Sequence, residues 1–464
     1  MRVAVIGAGM GGLAAAHALV AAGFDAQVFE ATNRPGGVVG TSNVDGYVRE
    51  HAASSFLGGP SRGALAMCKA LGVAVDQASP RAKRRWIYID GKLRALPTNP
   101  IDFVRSDLLT WRGKLALLKE PFAKSRAAGE DESIHDLAAR RLGPEAARAI
   151  VAPFVTGIFA ADAHDISLEA GFPKLAELDA SGGFARGMLR QMTKTMLARA
   201  SGKPTTRTDR GMWAPRGGLG ALVDAFANAL GSRVHLNVPV QTLAPSQKGV
   251  LVNGERWDAA VLAVPAAAGA ALVVDAMPEL ASRLRMFERA PVALVYLGMP
   301  ASALERPLPG GPRASSVPTS GAKAGDGFGF LVARGEDLRV LGIVFESVVW
   351  PERAPEGHVL LRCIFGGGRD PEAAGIPDDE LIALARRDVK TALGADAQPT
   401  HASVIRWDQG IAQYAVGHRD HVKAAVAAGR SLRIALAGAD YRGAGVNDLC
   451  ADADVIVAEL RTWS

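Results

Sequence analysis

The stretch Gly7-Ala8-Gly9-Met10-Gly11-Gly12 constrains this chain more than any other, because of what stands on either side of it. Residues 2–6 before it are mostly β-branched or small and apolar, as a buried strand requires. After it, an Ala-rich run to Ala22 has helical character and stops at Gly23, and a second apolar strand ends at Glu30. In this order Gly7 permits the tight turn, Gly9 lets a pyrophosphate approach the backbone, and Gly12 lets helix and strand pack closely. The helix N-terminus supplies a favourable field for phosphate, and Glu30 stands where a carboxylate accepts from an adenosine ribose. The expectation is an α/β chain begun by a dinucleotide-binding βαβ unit.

At 464 residues, with 48% hydrophobic and 22% charged side chains, the chain has the size of two or three domains and is too apolar for extended disorder. Three cysteines, Cys68, Cys363 and Cys450, make neither a disulfide framework nor a paired metal spacing, so a reducing compartment is expected. The formal charge of +6 is spread as 53 basic against 47 acidic residues without a basic arm, which argues against nucleic acid and leaves an acidic substrate or anionic membrane compatible. Met1 and Arg2 lead directly into the first strand with no secretory pattern. The longest apolar run, 259–274, is shorter than the roughly 20 residues of a spanning helix and contains Pro265 and Gly269. A cytoplasmic protein is expected, or one peripheral on the cytoplasmic face of a membrane.

Residues 102–206 read as mostly helical: Ser133 caps an apolar-periodic run to Arg141, Gly143 and Pro144 interrupt it, and 145–154 resumes it. Strand patterns return at 234–240, 249–252 and 260–264, then at 292–297, 341–349 and 359–365. Residues 307–326, rich in Gly, Pro, Ser and Ala, read as a long loop.

Glu30-Ala31-Thr32-Asn33-Arg34-Pro35-Gly36-Gly37 places a second glycine pair and an arginine just after the ribose carboxylate. This arrangement resembles the flavoprotein amine oxidase and protoporphyrinogen oxidase group, and it points to FAD over NAD. The resemblance extends along the chain through Arg49-Glu50, Ser55-Phe56, Ala82-Lys83-Arg84-Arg85-Trp86, Gly157-Ile158-Phe159-Ala160, Gly217-Gly218-Leu219, Gly327-Phe328-Gly329-Phe330-Leu331-Val332, Arg406-Trp407 and Tyr441-Arg442-Gly443-Ala444-Gly445-Val446-Asn447-Asp448.

The resemblance implies an α/β fold with a Rossmann-like FAD-binding domain (1–80, 207–290 and 400–464), a mixed-sheet α+β substrate domain (81–97 and 291–399), and a helical insertion, 98–206, that associates with membrane. It implies oxidation of protoporphyrinogen IX to protoporphyrin IX in haem biosynthesis, with hydride leaving a meso carbon for flavin N5, molecular oxygen as acceptor and hydrogen peroxide as by-product. The cation left behind is delocalised over the pyrroles, so the protein need supply no catalytic side chain. It has to hold the meso carbon at the flavin in a dry pocket and anchor the propionates.

By the same resemblance Gly7, Gly9, Gly12, Glu30, Arg34 and Gly37 match FAD positions near the N-terminus, Val240 meets the adenine through its backbone, and Trp407, Gly443, Val446 and Asn447 lie near the isoalloxazine and ribityl chain. The FAD is expected to be non-covalent. Arg85 matches a propionate-pairing arginine, and Gly329, Leu331, Ile343 and Val344 match apolar walls around the tetrapyrrole. The partners implied are a porphyrinogen and oxygen, with ferrochelatase, a second copy of the chain and a membrane surface as further candidates. The alternatives are coproporphyrinogen III oxidation, another flavin amine oxidase or desaturase, and a non-catalytic flavin-binding paralogue. Departures from the family pattern are Ala52-Ala53-Ser54 before Ser55-Phe56, Ala412 before Gln413-Tyr414, and Ala439-Asp440.

Three further patterns carry weaker signals. Gly59-Pro60-Ser61-Arg62-Gly63 fits a hydrolase nucleophile elbow, but Pro60 suits that turn badly. His418 and His421 could share a helix face, yet two histidines without a third ligand do not make a metal site, and none is expected. Leu108, Leu109, Trp111, Leu115, Leu117 and Leu118, beside Arg105, Arg112, Lys114 and Lys119, suit an interfacial helix or one packed on its neighbours.

Overall fold

The computed structural model describes residues 1–463 apart from 60–62, 128, 188–189, 191–192, 194–210 and 305–324. The serine of the elbow-like pattern and most of the expected 307–326 loop lie outside the described residues.

Five parallel strands form a sheet in the order Val234–His235, Asp25–Phe29, Arg2–Ile6, Ala259–Leu262, Ile434–Leu436. Side chains alternate across it with a period of two. Val3, Val5, Ala259 and Val261 pack on the layer made by helices Met10–Ala21, Gly220–Leu230 and Val446–Arg461. Ala4, Ile6, Ala260 and Leu262 pack on the opposite layer, made by Ala266–Val273, Pro278–Leu284 and His418–Ser431. Burial on both faces explains why these strands read as apolar runs rather than alternating ones. The expected strand 234–240 is shorter, because Pro239 cannot donate to a ladder and Asn237 already takes a φ of 56°.

The second sheet has seven strands in the order His401–Gln413, Glu288–Pro300, His358–Gly366, Gly342–Phe345, Gly329–Val332, Trp86–Ile89, Lys92–Ala95. All neighbours are antiparallel except Gly329–Val332 with Trp86–Ile89. Strand His401–Gln413, which sequence reasoning grouped with the dinucleotide part, is hydrogen-bonded to Glu288–Pro300 in this sheet. One face is covered by helix Asp378–Leu393, through Leu381, Ala385, Val389 and Leu393. The expected strand 341–349 ends at Phe345 and turns into helix Glu346–Val349, which carries Glu346 inward to two arginines.

The helical insertion lies against the Trp86–Ile89 end of this sheet. Ser133 caps Ile134–Leu142 by accepting from Asp136 N at 3.0 Å, and Gly143 ends it with a φ of 88°. A widened, π-helical turn, Ala147–Val151, precedes Ala152–Phe159. Pro153 has no N–H for the carbonyl of Ala149, and the turn directly before it is where the helical ladder takes up that mismatch. Of the suggested interfacial residues, Leu108 and Leu109 are buried beside Ile87 and Ile89, whereas Trp111, Leu115 and Leu118 are exposed together with Ile101 and Phe122. Among the described residues no helix is long and apolar enough to cross a membrane.

Candidate active site

Three glycine-bearing loops meet at the carboxyl ends of the parallel strands. Gly7 has a φ of 102°, and a side chain at Gly12 would collide with the Gly7 carbonyl, so the first turn can be made only this way. Gly36 N donates to Ala8 O at 2.7 Å, which brings Gly37 so close that its Cβ would lie 3.3 Å from Gly9 Cα. On the other side a Cβ on Gly11 would lie 3.3 Å from Gly438 Cα. Space beside Gly9 and Gly438 is open. Helix Met10–Ala21 starts at Gly9 with no side-chain cap and no acidic residue in its first turn, leaving its backbone N–H groups for a phosphate.

Glu30 locks this cradle by accepting from Ala8 N at 2.8 Å, Thr32 N at 2.9 Å and Thr32 Oγ1 at 2.8 Å. A carboxylate offers about four acceptor positions, so one remains for a ribose hydroxyl. The Arg34 guanidinium donates to Gly37 O at 2.7 Å and Val39 O at 3.4 Å, holding the second glycine loop. Val240 is half-buried and packs, as Phe29 does, against the core on this side of the parallel sheet, just beyond the short strand that pairs with Asp25–Phe29. The residues present therefore fit FAD: an unobstructed backbone for the pyrophosphate, with an acidic side chain next to it.

The segment after this cradle is held in an unusual way. Glu50 O accepts from Tyr296 Oη at 2.6 Å, His51 O from Trp407 Nε1 at 2.7 Å, Ala52 O from Arg362 at 2.8 Å and Ser54 O from Arg353 at 3.0 Å. Four side chains of the substrate half thus grip four carbonyls within five residues. The charges behind them balance: Arg353 bonds Glu50 at 2.7 Å and Glu346 at 2.6 Å, and Arg362 meets Glu346 at 3.0 Å. Burial pushes the Glu50 carboxyl up, opposed by Arg353, Thr41 and Leu219 N–H. Sequence reasoning placed Trp407 near the flavin but missed this network; the adjacency of Arg49-Glu50 to the glycine loops was its only trace in the sequence.

At the C-terminal end Asn447 uses both halves of its amide, accepting from Ala64 N at 2.9 Å and donating to Leu57 O at 2.6 Å. The Val446 side chain is in the core, which leaves its backbone, in the first turn of helix Val446–Arg461, as the part able to reach a ligand. Gly443 has a φ of 139° and lies against Asp448. The departure Asp440 is buried and answers two donors, Ala266 N at 2.8 Å and Arg289 Nε at 2.7 Å.

The second component is an apolar cavity of about 140 Å³ between the mixed sheet and the helical insertion. Trp86, Leu96 and Leu331 form one side, Ile150, Val151, Phe154 and Phe172 the other, and Arg85 stands among them. The Arg85 guanidinium is 5.3 Å from the Phe328 ring centroid and makes no ion pair among the described residues, whereas its neighbour Arg81 pairs with Asp326. Cross-strand pairing puts Gly329 and Val344 on the Leu331 face of the sheet. Ile343, expected on the same wall, points to the opposite face and is packed in the core with Phe330 and Phe345. The reason is the two-residue alternation of a strand, under which neighbours such as Ile343 and Val344 cannot share a face.

His418 is buried and stacked on Tyr414 at 4.3 Å, and burial lowers its pKa to about 4. Among the described residues no three His, Cys, Asp or Glu side chains cluster as metal ligands. Tyr441 is buried against Phe287 and is not an exposed aromatic wall.

Residues 10–448 match the family of flavin containing amine oxidoreductases. A rice (Oryza sativa subsp. japonica) chloroplastic protoporphyrinogen oxidase is 30% identical over 450 residues, 91% of this chain and 81% of its own. A coproporphyrinogen III oxidase from Bacillus subtilis is 25% identical over 492 residues, covering 100% of this chain and 98% of its own. The fold is shared with a provisionally assigned protoporphyrinogen oxidase from Exiguobacterium sp., at a TM-score of 0.79, 21% identity, and coverage of 100% and 99% of the two chains.

Proposed function

Because the chain belongs to the flavin containing amine oxidoreductase family and carries the matching FAD cradle, we propose that it is an oxidase converting protoporphyrinogen IX to protoporphyrin IX, with oxygen as acceptor and hydrogen peroxide as by-product. The observation that carries this reading is an arginine, Arg85, at an otherwise apolar cavity and with no ion pair among the described residues. A tetrapyrrole presents that combination, with apolar ring edges beside carboxylate arms. A cavity of about 140 Å³ takes a substituent rather than the macrocycle, so the ring lies outside it.

Bound FAD supplies two-electron acceptance at N5. Gly7, Gly9, Gly12 and Gly37 leave its phosphates room, Glu30 and Arg34 hold the cradle, and Val240, Trp407, Gly443, Val446 and Asn447 shape the adenine and isoalloxazine ends. Arg85 holds a propionate, while Leu331, Gly329 and Val344 exclude water from the reacting face. No side chain has to move a proton, because a pyrrole N–H of the substrate can lose its own.

Coproporphyrinogen III is the second reading, favoured by the end-to-end alignment with the Bacillus subtilis relative. The two differ where protoporphyrinogen has vinyl groups and coproporphyrinogen has further propionates, and the apolar cavity suits the vinyl. Anaerobic mixing of the purified flavoprotein with each porphyrinogen and a panel of amines tests this. Bleaching by protoporphyrinogen is expected; bleaching by amines alone, or by none of them, overturns the proposal. The exposed Ile101, Trp111, Leu115, Leu118 and Phe122, flanked by Arg112 and Lys119, are proposed as a peripheral membrane contact. Flotation with anionic vesicles tests that contact.

A further inference from the structure

Ile134, Val151 and Val155 line the apolar cavity, and the next residue in each case, His135, Ala152 and Thr156, lines a different one on the other side of the same helices. This second cavity holds about 60 Å³ and is bounded also by Arg148, Asp162, His164, Arg334 and Arg369. Its charge does not balance. Three guanidinium groups face one carboxylate, and Asp162 is already occupied, bonded by Arg334 and by His164 Nδ1 at 2.7 Å. Arg369 donates to Val332 O at 3.0 Å, and neither it nor Arg148 makes an ion pair among the described residues. The rings of His135 and His164 are stacked with centroids 3.6 Å apart, adding two more potential donors. Burial lowers the Arg369 pKa and Arg334 adds repulsion, against the pull of Asp162 and of Asp370, a carboxylate that is already paired with Arg339.

We propose that this cluster binds one small oxoanion, a phosphate or a carboxylate, bridging the helical insertion to the mixed sheet. Arg148 and Arg334 are solvent-exposed and Arg369 is partly buried, so an anion would meet them at the mouth of the cavity, where planar guanidinium forks match its geometry. The cavity, about 60 Å³, admits a compact anion or the anionic end of a larger molecule. The ligand could be free phosphate or the carboxylate of an organic molecule, and the chemistry that recognises them is the same.

The test uses the full-length, FAD-loaded protein, so that the dinucleotide cradle is filled. Its melting temperature is followed by flavin fluorescence while inorganic phosphate, or in a second arm sodium acetate, replaces sodium chloride at constant ionic strength. A saturable rise on the order of 1–3 °C is expected for at least one anion. Its midpoint should move up about ten- to a hundredfold in Arg148→Gln and in Arg369→Gln. Arg148 is exposed, so its variant keeps the test valid should Arg369→Gln fold poorly. Saturation with phosphate alone identifies a free oxoanion, and saturation with acetate alone a carboxylate ligand. No saturable rise in either arm, or an unchanged midpoint in Arg148→Gln, overturns the proposal.

Discussion

Arg353 and Glu50 lie 303 positions apart in sequence and 2.7 Å apart in space, both withdrawn from water. The pair joins the strand after the dinucleotide cradle to the substrate half. The same guanidinium reaches the Ser54 carbonyl and Glu346. Stability and geometry at residues 50–54 are therefore one property.

Removing one member of this network leaves a buried charge uncompensated. Arg353→Ala is expected to cost about 3–5 kcal/mol, because Glu50 and Glu346 are then left with Arg362 alone. Denaturant unfolding of the variant, with flavin content measured alongside, checks this; a loss below about 1 kcal/mol would contradict a charge-balanced core.

Glu30→Arg replaces an acceptor of three hydrogen bonds by a group that only donates, facing Ala8 N–H and Thr32. Mostly apo protein is expected. Full occupancy by absorbance would contradict the assigned cradle. FAD from the parent protein is expected in the supernatant after acid precipitation, since the proposed attachment is non-covalent.

Arg85→Ala should raise the apparent KM for a porphyrinogen about ten- to a hundredfold with kcat within a few fold, since a propionate contact remote from the reacting carbon acts equally on ground and transition states. Steady-state kinetics decide it: equal losses in kcat and kcat/KM would place Arg85 in the transition state instead.

His418 is held neutral in the fold, its pKa lowered by burial from 6.5 to about 4. Above the unfolded value neither state gains a proton and stability is flat. Below it the unfolded chain protonates first, so stability falls as pH drops from 6.5 towards 4, reaching a loss of about 2 kcal/mol near pH 5. His418→Gln should flatten this limb in unfolding curves recorded between about pH 8 and pH 5; an unchanged slope would assign the acid sensitivity to other groups.

Ala52→Gly should alter porphyrinogen turnover little. The Ala52 carbonyl is held by Arg362 whichever side chain it carries, so the cost is confined to a small stability loss from added backbone freedom. A several-fold rise in turnover would mean that the methyl narrows the space over the flavin.

The nucleotide half of the molecule was legible in the sequence because its determinants are local. A turn that admits only glycine at Gly7 and Gly12, an uncapped helix start and Glu30 at a strand end all lie within one βαβ unit. Arg85 was marked out only by its place next to an aromatic; the structure puts it at the apolar cavity, and its contact with a propionate remains a proposal. The tertiary structure decided what pairing and burial control. Ile343 lies in the core because the register of Gly329–Val332 on Gly342–Phe345 assigns faces that the letters Ile and Val do not distinguish. Glu346 ended an expected strand because Arg353 and Arg362, which follow it in the chain, draw it inward, a pairing that the strand pattern of the letters does not show. The grip on the carbonyls of residues 50–54 comes from side chains some 250 to 360 positions away, and no local pattern encodes it. The cationic cavity between insertion and sheet arose in the same way, since charges far apart in the chain acquire a common neighbourhood only when the layers pack.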